Sequence, residues 1–354
     1  MRIHPGLFSA VGHLPRGSVA IGNFDGVHVG HRALFAAARD SAARSGGKIC
    51  ALTFDPHPAA VLAPQFAPPA IGSAQRKLEL LAEAGVDEAV VQRFDRDFAR
   101  TSAAEFVSQL AATGVSTVVV GQDFTYGKDR GGNVASLRAA LGDAGVDLQL
   151  VPPVTVEGLV VSSTKVREFI LEGRLDAAAA LLGRHLDLDG QVVRGAGRGR
   201  TLGWPTANVQ YAAGQLLPAI GVYAVRVRVL ESEARGVKPG VASGGDAPAL
   251  TATGSGAPAP TATEFLPPHF GPCIKGAANL GLNPTFRDAA PSGQRPPLLL
   301  EVHLIDFAGD LYGKTLRVEF VHRLRDERRF GGIEALKAQI LSDVEEAKRV
   351  LAGR

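Results

Sequence analysis

The stretch GNFDGVHVGH (residues 22 to 31) sets two histidines, His28 and His31, around a glycine, after an apolar run and before an alanine-rich segment. A helix that starts near Gly30 leaves its first backbone N–H groups unpaired and presents the positive end of its dipole, and both attract phosphate. Gly22 and Gly26 let the backbone come close to a ligand. Histidines three apart on a first helical turn can aim both rings at one anion and donate hydrogen bonds to it. Half of a metal site and an ordinary loop are the other readings of this pair. With no cysteine nearby, nucleotide phosphate is favoured.

TFDPHP (53 to 58) and VGQDFTYGKDRGGN (120 to 133) each follow an apolar run, and the second carries Asp123, Phe124 and Tyr126. Aromatic faces beside a carboxylate suit a planar ring with polar edges, although an ordinary loop can have the same composition. In SSTKVREF (162 to 169), Ser162, Ser163 and Thr164 lead into a helical pattern with Arg167 one turn in. They serve either as helix caps or as partners on the far side of a triphosphate. Further on, GAGRGRTLGWPTAN (195 to 208) joins glycines to arginines but lacks the lysine and hydroxyl residue that end a Walker A loop. Thr206 and Asn208 offer oxygens of the kind magnesium accepts, and Glu301 is a lone carboxylate in the apolar strand LLLEVHLIDF. Taken alone, Glu301 reads as an outward-facing strand residue.

These residues need a scaffold, and the apolar spacing supplies one. Strand-length runs at 18 to 22, 49 to 54, 88 to 94, 116 to 121 and 148 to 152 alternate with helix-length segments that close on glycine. Alternation of this kind predicts an α/β domain with a doubly wound parallel sheet, and Ser102 with Glu105 has the spacing of a capping box. Ligands of such sheets sit beyond the carboxyl ends of the strands, where the loops after 22, 54 and 121 fall. After a helical stretch at 171 to 184, alternating β-branched and polar residues with glycine turns predict a small antiparallel barrel. Ile333, Leu336, Ile340, Val344 and Ala347 recur at three and four, predicting a terminal amphipathic helix packed on that barrel. The expected domains are 1–184 and 185–354.

With 354 residues, 45% hydrophobic and 21% charged, the chain can bury two cores. Its 38 basic and 35 acidic residues are spread along the chain for a net charge of +3, which points away from nucleic acid and from a membrane surface as partners. Cys50 and Cys273 lie far apart, the first residues lack a signal-peptide core, and no run approaches the roughly 18 apolar residues of a membrane span. A reduced, cytoplasmic protein is expected.

In their order along the chain, GNFDGVHVGH, FDPHP, VGQDFTYG and SSTKVR resemble the four motifs of the FMN adenylyltransferase module of bacterial bifunctional riboflavin kinase/FAD synthetases. The His-x-Gly-His element by itself marks only the wider nucleotidylyltransferase superfamily. The resemblance implies a Rossmann-like nucleotidylyltransferase domain in which FMN phosphate attacks the α-phosphate of ATP, giving FAD and pyrophosphate. It implies ATP binding by Gly22, Asn23, Phe24, Asp25, Gly26, His28, Gly30, His31, Ser162, Ser163, Thr164 and Arg167. Within that set His28 and His31 stabilise charge on the phosphates, while Arg167 with Ser163 holds the departing groups. FMN would lie against Pro56, His57, Pro58, Asp123, Phe124 and Tyr126. Such a site works by position and electrostatics.

GRGRTLGWPTAN, ANLGLNPTF, EVHLIDFAGDLYG and LRDERRF resemble the riboflavin kinase module of the same family. That likeness implies ATP at Gly195, Gly197, Gly199, Arg200, Thr206 and Asn208, with Mg2+ held by Thr206 and Asn208. It implies flavin at Glu301, Arg325 and Arg328, with Glu301 taking the proton of the ribityl 5′-hydroxyl. Riboflavin, FMN and ATP are the implied partners, and transient self-association is left open.

The chain departs from the family pattern in places. Trp204 stands where phenylalanine is expected, Tyr126 replaces another phenylalanine, and Asn133 replaces an aspartate. Residues 231 to 273, rich in Ala, Gly, Pro, Ser and Thr, interrupt the barrel and are expected to form a flexible surface insertion, with no role inferred for Cys273. A flavin carrier without turnover and a protein with one active module are the rival functions.

Overall fold

Apolar runs flanked by glycine-capped helices build the first sheet. The computed structural model describes residues 1–195, 204–233, 261–282 and 298–353. In it β2 (Ser18–Ile21), β3 (Ile49–Asp55), β4 (Glu88–Arg93), β5 (Thr117–Gly121) and β8 (Asp147–Val151) pair in parallel, with β1 (Arg2–His4) beside β4. The order β1-β4-β3-β2-β5-β8 reverses direction at β2, so the switch point lies where GNFDGVHVGH leaves the sheet. Helices α1 (Val29–Ser45), α3 (Ala74–Glu83), α4 (Ala103–Ala112) and α5 (Val134–Asp143) form the crossovers, and α2 (Pro58–Leu62) is one short turn. Two buried clusters result, one including Val19, Leu52, Val118 and Leu137 and the other Ala20, Phe35, Ala51 and Leu81. The expected capping box of Ser102 and Glu105 is present, and Asn133 caps α5 by accepting from the Ala135 and Ser136 N–H groups. The asparagine at that position therefore does a job its oxygen is suited to.

The second sheet closes on itself. β11 (Leu186–Val193), β12 (Ala207–Tyr211), β13 (Gly221–Ser232), β16 (Ile274–Leu282), β17 (Leu298–Leu304) and β18 (Thr315–Arg325) pair antiparallel, and β13 also pairs β18. That last pairing makes a six-stranded barrel. Helix α8 (Ile333–Ala352) buries Val344, Ala347 and Leu351 in one cluster with Ala224, Ala277, Ile305 and Val321 of the barrel. Ile333, expected on that face, is 62% exposed because it opens the helix. Trp204 packs against the same cluster, where its large ring finds apolar surface.

By compactness the chain forms two units, Met1–Ser162 with Ala234–Pro267 and Ser163–Glu233 with Pro268–Arg354. Helices α6 (Ser163–Leu171) and α7 (Leu175–Leu182) thus group with the barrel, although the expected boundary at 184 put them with the first domain.

The insertion also needs correction. Its described end is ordered by strand pairing: β14 (Thr263–Glu264) runs antiparallel to β1, with Arg2 opposite Glu264 and Ile3 opposite Thr263. Phe265 is 1% exposed in the first unit's core, and its N–H donates to the Met1 carbonyl at 2.8 Å. β15 (His269–Phe270) adds to β13. A composition poor in large apolar residues therefore does not make the whole of 231 to 273 a free excursion, because one phenylalanine and an open sheet edge suffice to dock it. Cys50 and Cys273 are both free thiols, the buried one pushed up to about 12 by desolvation.

Candidate active sites

The turn after β2 is held in a conformation most sequences avoid. Phe24, Gly26 and Val27 have φ of 50, 78 and 41°, which concentrates left-handed backbone in a few residues. A side chain at Gly22 would meet the Phe24 ring at 2.9 Å. Phe24 was expected among the ATP-binding residues, yet its ring is fully buried and meets His31 edge-on at 5.2 Å. It acts as the floor beneath the histidine. Asp25 turns away from the helix and accepts the Ile71 N–H through Oδ1 at 3.0 Å, anchoring the segment before α3.

His28 is the N-cap of α1, its Nδ1 accepting the His31 N–H at 3.3 Å. Gly30 allows this, since a side chain there would press on the His28 ring at 3.2 Å. The His28 and His31 rings stack at 3.6 Å between centroids with 15° between planes. Burial first, then the neighbouring His28 and Lys77, hold the His31 pKa well below its ordinary value. A neutral His31 follows, suited to donating to phosphate without carrying charge itself.

In the loop after β3, His57 caps α2 by accepting the Ala59 N–H at 3.1 Å, and its Nε2 lies 3.3 Å from the Asn23 amide. Pro58 opens α2, and Pro56 precedes the capping histidine. Asn23, Asp25, Asp55, His57 and Lys77 line one open cavity beyond the carboxyl ends of β2 and β3. Asp55 is pushed up by burial against the pull of Lys77, and one of its oxygens is buried without a hydrogen-bond partner. Lys77 was not singled out from the sequence. It lies in QRKLELL, an amphipathic helix where a lysine normally means a solvated face, and only the crossover of α3 brings it here.

The third loop forms a two-strand hairpin of β6 (Thr125–Tyr126) and β7 (Gly132–Asn133). Phe124 and Tyr126 stack at 5.8 Å, but Tyr126 is 7% exposed and packs on Phe106, so it is a core support for Phe124. Asp123 lies close over Gly121 at the end of β5. Ser162 ends the first unit after the hairpin of β9 (Thr155–Val156) and β10 (Leu159–Val160). Ser163, Thr164 and Arg167 lie on α6, with Arg167 buried.

In the barrel, Glu301 on β17 is directly opposite Asn208 on β12 and Asn279 on β16. Directly opposite residues share a face, so the three form a row across three strands. Leu300 and Val302 fill the interior at 0% exposure, which puts Glu301 and the two asparagines on the outer face. Both sequence readings of Glu301 describe the same place: it points outward, and it points outward into a polar row. Asn279 carries no signal of its own within ANLGLNPTF, and strand register is what reveals it. His303, two residues on, donates from Nδ1 to the Pro205 carbonyl at 3.0 Å and so holds the Pro-Thr-Ala-Asn segment to β17. Gly195 lies against Asn208 so closely that a side chain there would overlap the amide. Gly197, Gly199 and Arg200 lie outside the described residues.

Arg325 and Arg328 were expected at the flavin. The Arg325 guanidinium makes a two-pronged bridge to Asp343 of α8, with 2.8 and 2.7 Å contacts, while Arg328 donates to Gln339 and lies 5.1 Å over the Phe330 ring. In this structure both arginines fasten the terminal helix and its approach.

A parallel-sheet nucleotidyltransferase-like domain followed by a flavokinase-type barrel is the class that these two sites define. The comparisons agree module by module: residues 12–165 match the FAD synthetase family model and residues 182–351 the riboflavin kinase model. The chain is 36% identical to a bifunctional riboflavin kinase/FMN adenylyltransferase of Pseudomonas fluorescens, covering 95% of this chain and 94% of that one. With the protein of that description from Escherichia coli K12 it shares 35% identity over 92% and 90% of the two chains. The chain belongs to the family of bifunctional riboflavin kinase/FMN adenylyltransferases, and the match covers both modules. A crystal structure described as a macrolide-efflux protein from Streptococcus pneumoniae has the same fold, with TM-score 0.77, 27% identity and 98% of each chain covered. Among the described residues no helix is long and apolar enough to cross a membrane.

Proposed function

We propose that this chain phosphorylates riboflavin to FMN in the barrel and converts FMN to FAD in the parallel-sheet unit, using ATP for both. The observation that carries the FAD-forming half is the stacked His28–His31 pair at the start of α1, at the switch point of the sheet. An FMN phosphate oxygen attacks the α-phosphorus of ATP, the bond to the bridging oxygen breaks, and pyrophosphate leaves. His28 and His31 donate to the phosphate oxygens as charge builds on them. The family resemblance assigns the departing groups to Ser162, which closes the parallel-sheet unit, and to Ser163, Thr164 and Arg167 of α6, which groups with the barrel. Pro56, His57, Pro58, Asp123 and Phe124 receive FMN, with Tyr126 behind Phe124.

In the barrel, Glu301 takes the proton of the ribityl 5′-hydroxyl while that oxygen attacks the γ-phosphorus and ADP leaves. Magnesium fits the donors present. The Thr206 hydroxyl, the Asn208 amide oxygen and the nearby Glu301 carboxylate are hard oxygens, and Mg2+ needs only one or two protein ligands beside phosphate and water. Among the described residues no group of three or more His, Cys, Asp or Glu could hold a metal, so a site shared with ATP suits this barrel better than a protein-only cage. When bound, the ion would neutralise phosphate charge; the protein's own part is to hold Asn208 and Glu301 in register. Because both reactions consume ATP, the cytoplasm is the compartment we assign.

Incubation with riboflavin and MgATP, followed by chromatography of the flavins, tests the reading. FMN and then FAD should accumulate. FMN alone would leave the barrel as the active module, and unchanged riboflavin with bound flavin would make the chain a carrier.

A further inference from the structure

We propose that Lys77 is a positioning residue for adenylyl transfer, its half-buried ammonium fixing the turn after β2 to the end of β3, from which the His57 loop leaves. The proposal rests on the assignment of the first unit to FAD formation. The backbone ladder between β2 and β3 ends at the pair Ile21–Leu52, followed by the Gly22 N–H donating to the Leu52 carbonyl at 3.1 Å. Beyond that point no strand pairing holds the two loops together, although one carries His28 and His31 and the other His57. Side chains take over. Lys77 Nζ donates to the Phe54 carbonyl at 2.9 Å, to Thr53 Oγ1 at 3.3 Å and to the Asn23 carbonyl at 3.5 Å. Thr53 Oγ1 donates to the same Asn23 carbonyl at 3.1 Å.

The choice of a lysine here needs a reason beyond packing. Desolvation disfavours the charged ammonium and lowers the Lys77 pKa against the opposing pull of Asp55 and Asp25. A methionine of equal length would fill the space without that cost. What it would not supply is a donor to both the turn after β2 and the end of β3, or a positive charge in the cavity that Asn23, Asp25, Asp55 and His57 also line. The charge further disfavours protonation of His31. Adenylyl transfer brings two phosphates together, so the relative placement of their loops decides how often they meet in line; a misplacement of about 1 Å can cost ~10²-fold.

Lys77→Met and Thr53→Val remove the two arms of this link, the second with almost no change of shape. In Lys77→Met the kcat for FAD formation from FMN should fall about 10- to 100-fold, with KM for ATP and FMN within about threefold and riboflavin phosphorylation by the same preparation unchanged. Thr53→Val should fall in the same direction by a smaller factor, and the double variant should be little worse than Lys77→Met, since both act through one link. Wild-type kcat in both variants, or a change confined to KM, overturns the proposal. So does a Lys77→Met protein that loses both activities and melts early while Thr53→Val turns over like wild type. A wild-type protein that forms no FAD from FMN overturns the assignment of the unit as well, and is read before the variants.

Discussion

His28 and His31 form one stacked pair, their rings 3.6 Å apart and the His28 Nδ1 engaged by the His31 backbone N–H. Because Nδ1 accepts, the neutral His28 ring carries its hydrogen on Nε2, and that nitrogen is the one able to donate to a ligand. Burial, with the stacked His28 beside it, holds His31 below its ordinary pKa, so His31 works as a neutral donor. Alanine at either position should cut FAD formation from FMN by about 10²-fold or more, the range for a lost transition-state donor. Riboflavin phosphorylation assayed in parallel should stay near wild type, and an unchanged FAD rate in both variants would remove the pair from the mechanism.

The same burial has a pH signature. His31 is held below its ordinary value of 6.5 in the folded chain, so the unfolded chain takes up a proton there first. Above about pH 6.5 His31 therefore costs no stability, and as pH falls below that value the folded state is increasingly penalised until its own lowered pKa is reached. Titration of the His31 imidazole by NMR should give a midpoint below 6.5. His31→Asn should lose less stability than wild type between neutral pH and pH ~5, a window set by the ordinary histidine value; parallel acid curves would contradict the account.

A second ionisable group acts in the same direction at lower pH, through its charged rather than its neutral form. Glu88 is 1% exposed, accepts from His4 at 2.8 Å and from Lys48 at 2.5 Å, and lies at the amino ends of β1, β3 and β4. Burial alone would raise its pKa; the two partners outweigh burial and lower it below 4.5. Its contribution is therefore present above about pH 4.5 and lost as pH falls through the lower folded value. Glu88→Gln should cost about 1.5–3 kcal/mol at pH 7, and the gap in unfolding free energy between variant and wild type should narrow as pH drops under that value.

Phe265 carries a different test. It sits on the described end of the insertion and fills the core of the first unit, with β14 capping the edge strand β1. Phe265→Ala should destabilise that unit by about 3–5 kcal/mol, so that FAD formation is lost on heating before riboflavin phosphorylation is. Replacing residues 231 to 273 by a short turn should do the same.

How much of this was legible in the residues depends on how local the cause is. The five central strands and four crossover helices were, because buried parallel strands are continuous apolar runs and each helix closes on a glycine, such as Gly46 with φ 68°. β1 was not, being three residues of Arg-Ile-His whose only signal is the neighbour it pairs with. β14 was hidden for the same reason, its partner lying at the far end of the sequence. At the sites, His28 and His31 could be found from spacing alone. Lys77, Asn279 and His303 could not, since what singles them out is a crossover, a register and a carbonyl 98 residues away. The Arg325 bridge to Asp343 was not legible either, because that carboxylate lies on a helix whose docking angle no spacing encodes.

Glu301 offers the sharpest test of the kinase module. It stands opposite Asn208 and Asn279 on the outer face of the barrel, beside a Pro-Thr-Ala-Asn segment that His303 holds in place. A positioned base contributes about 10²- to 10⁴-fold in rate, and glutamine keeps the size of the side chain while abolishing proton acceptance. Glu301→Gln should therefore lose riboflavin phosphorylation by a factor in that range, with KM for riboflavin little changed. Adenylylation of added FMN should persist, because His28 and His31 belong to the other unit. Asn279→Ala should give a milder loss of the same kind, by releasing one neighbour of the carboxylate. If Glu301→Gln phosphorylates riboflavin at close to the wild-type rate, the carboxylate is an ordinary outward strand residue and the base lies elsewhere; if Asn279→Ala alone abolishes turnover, the row matters more for binding than for proton transfer.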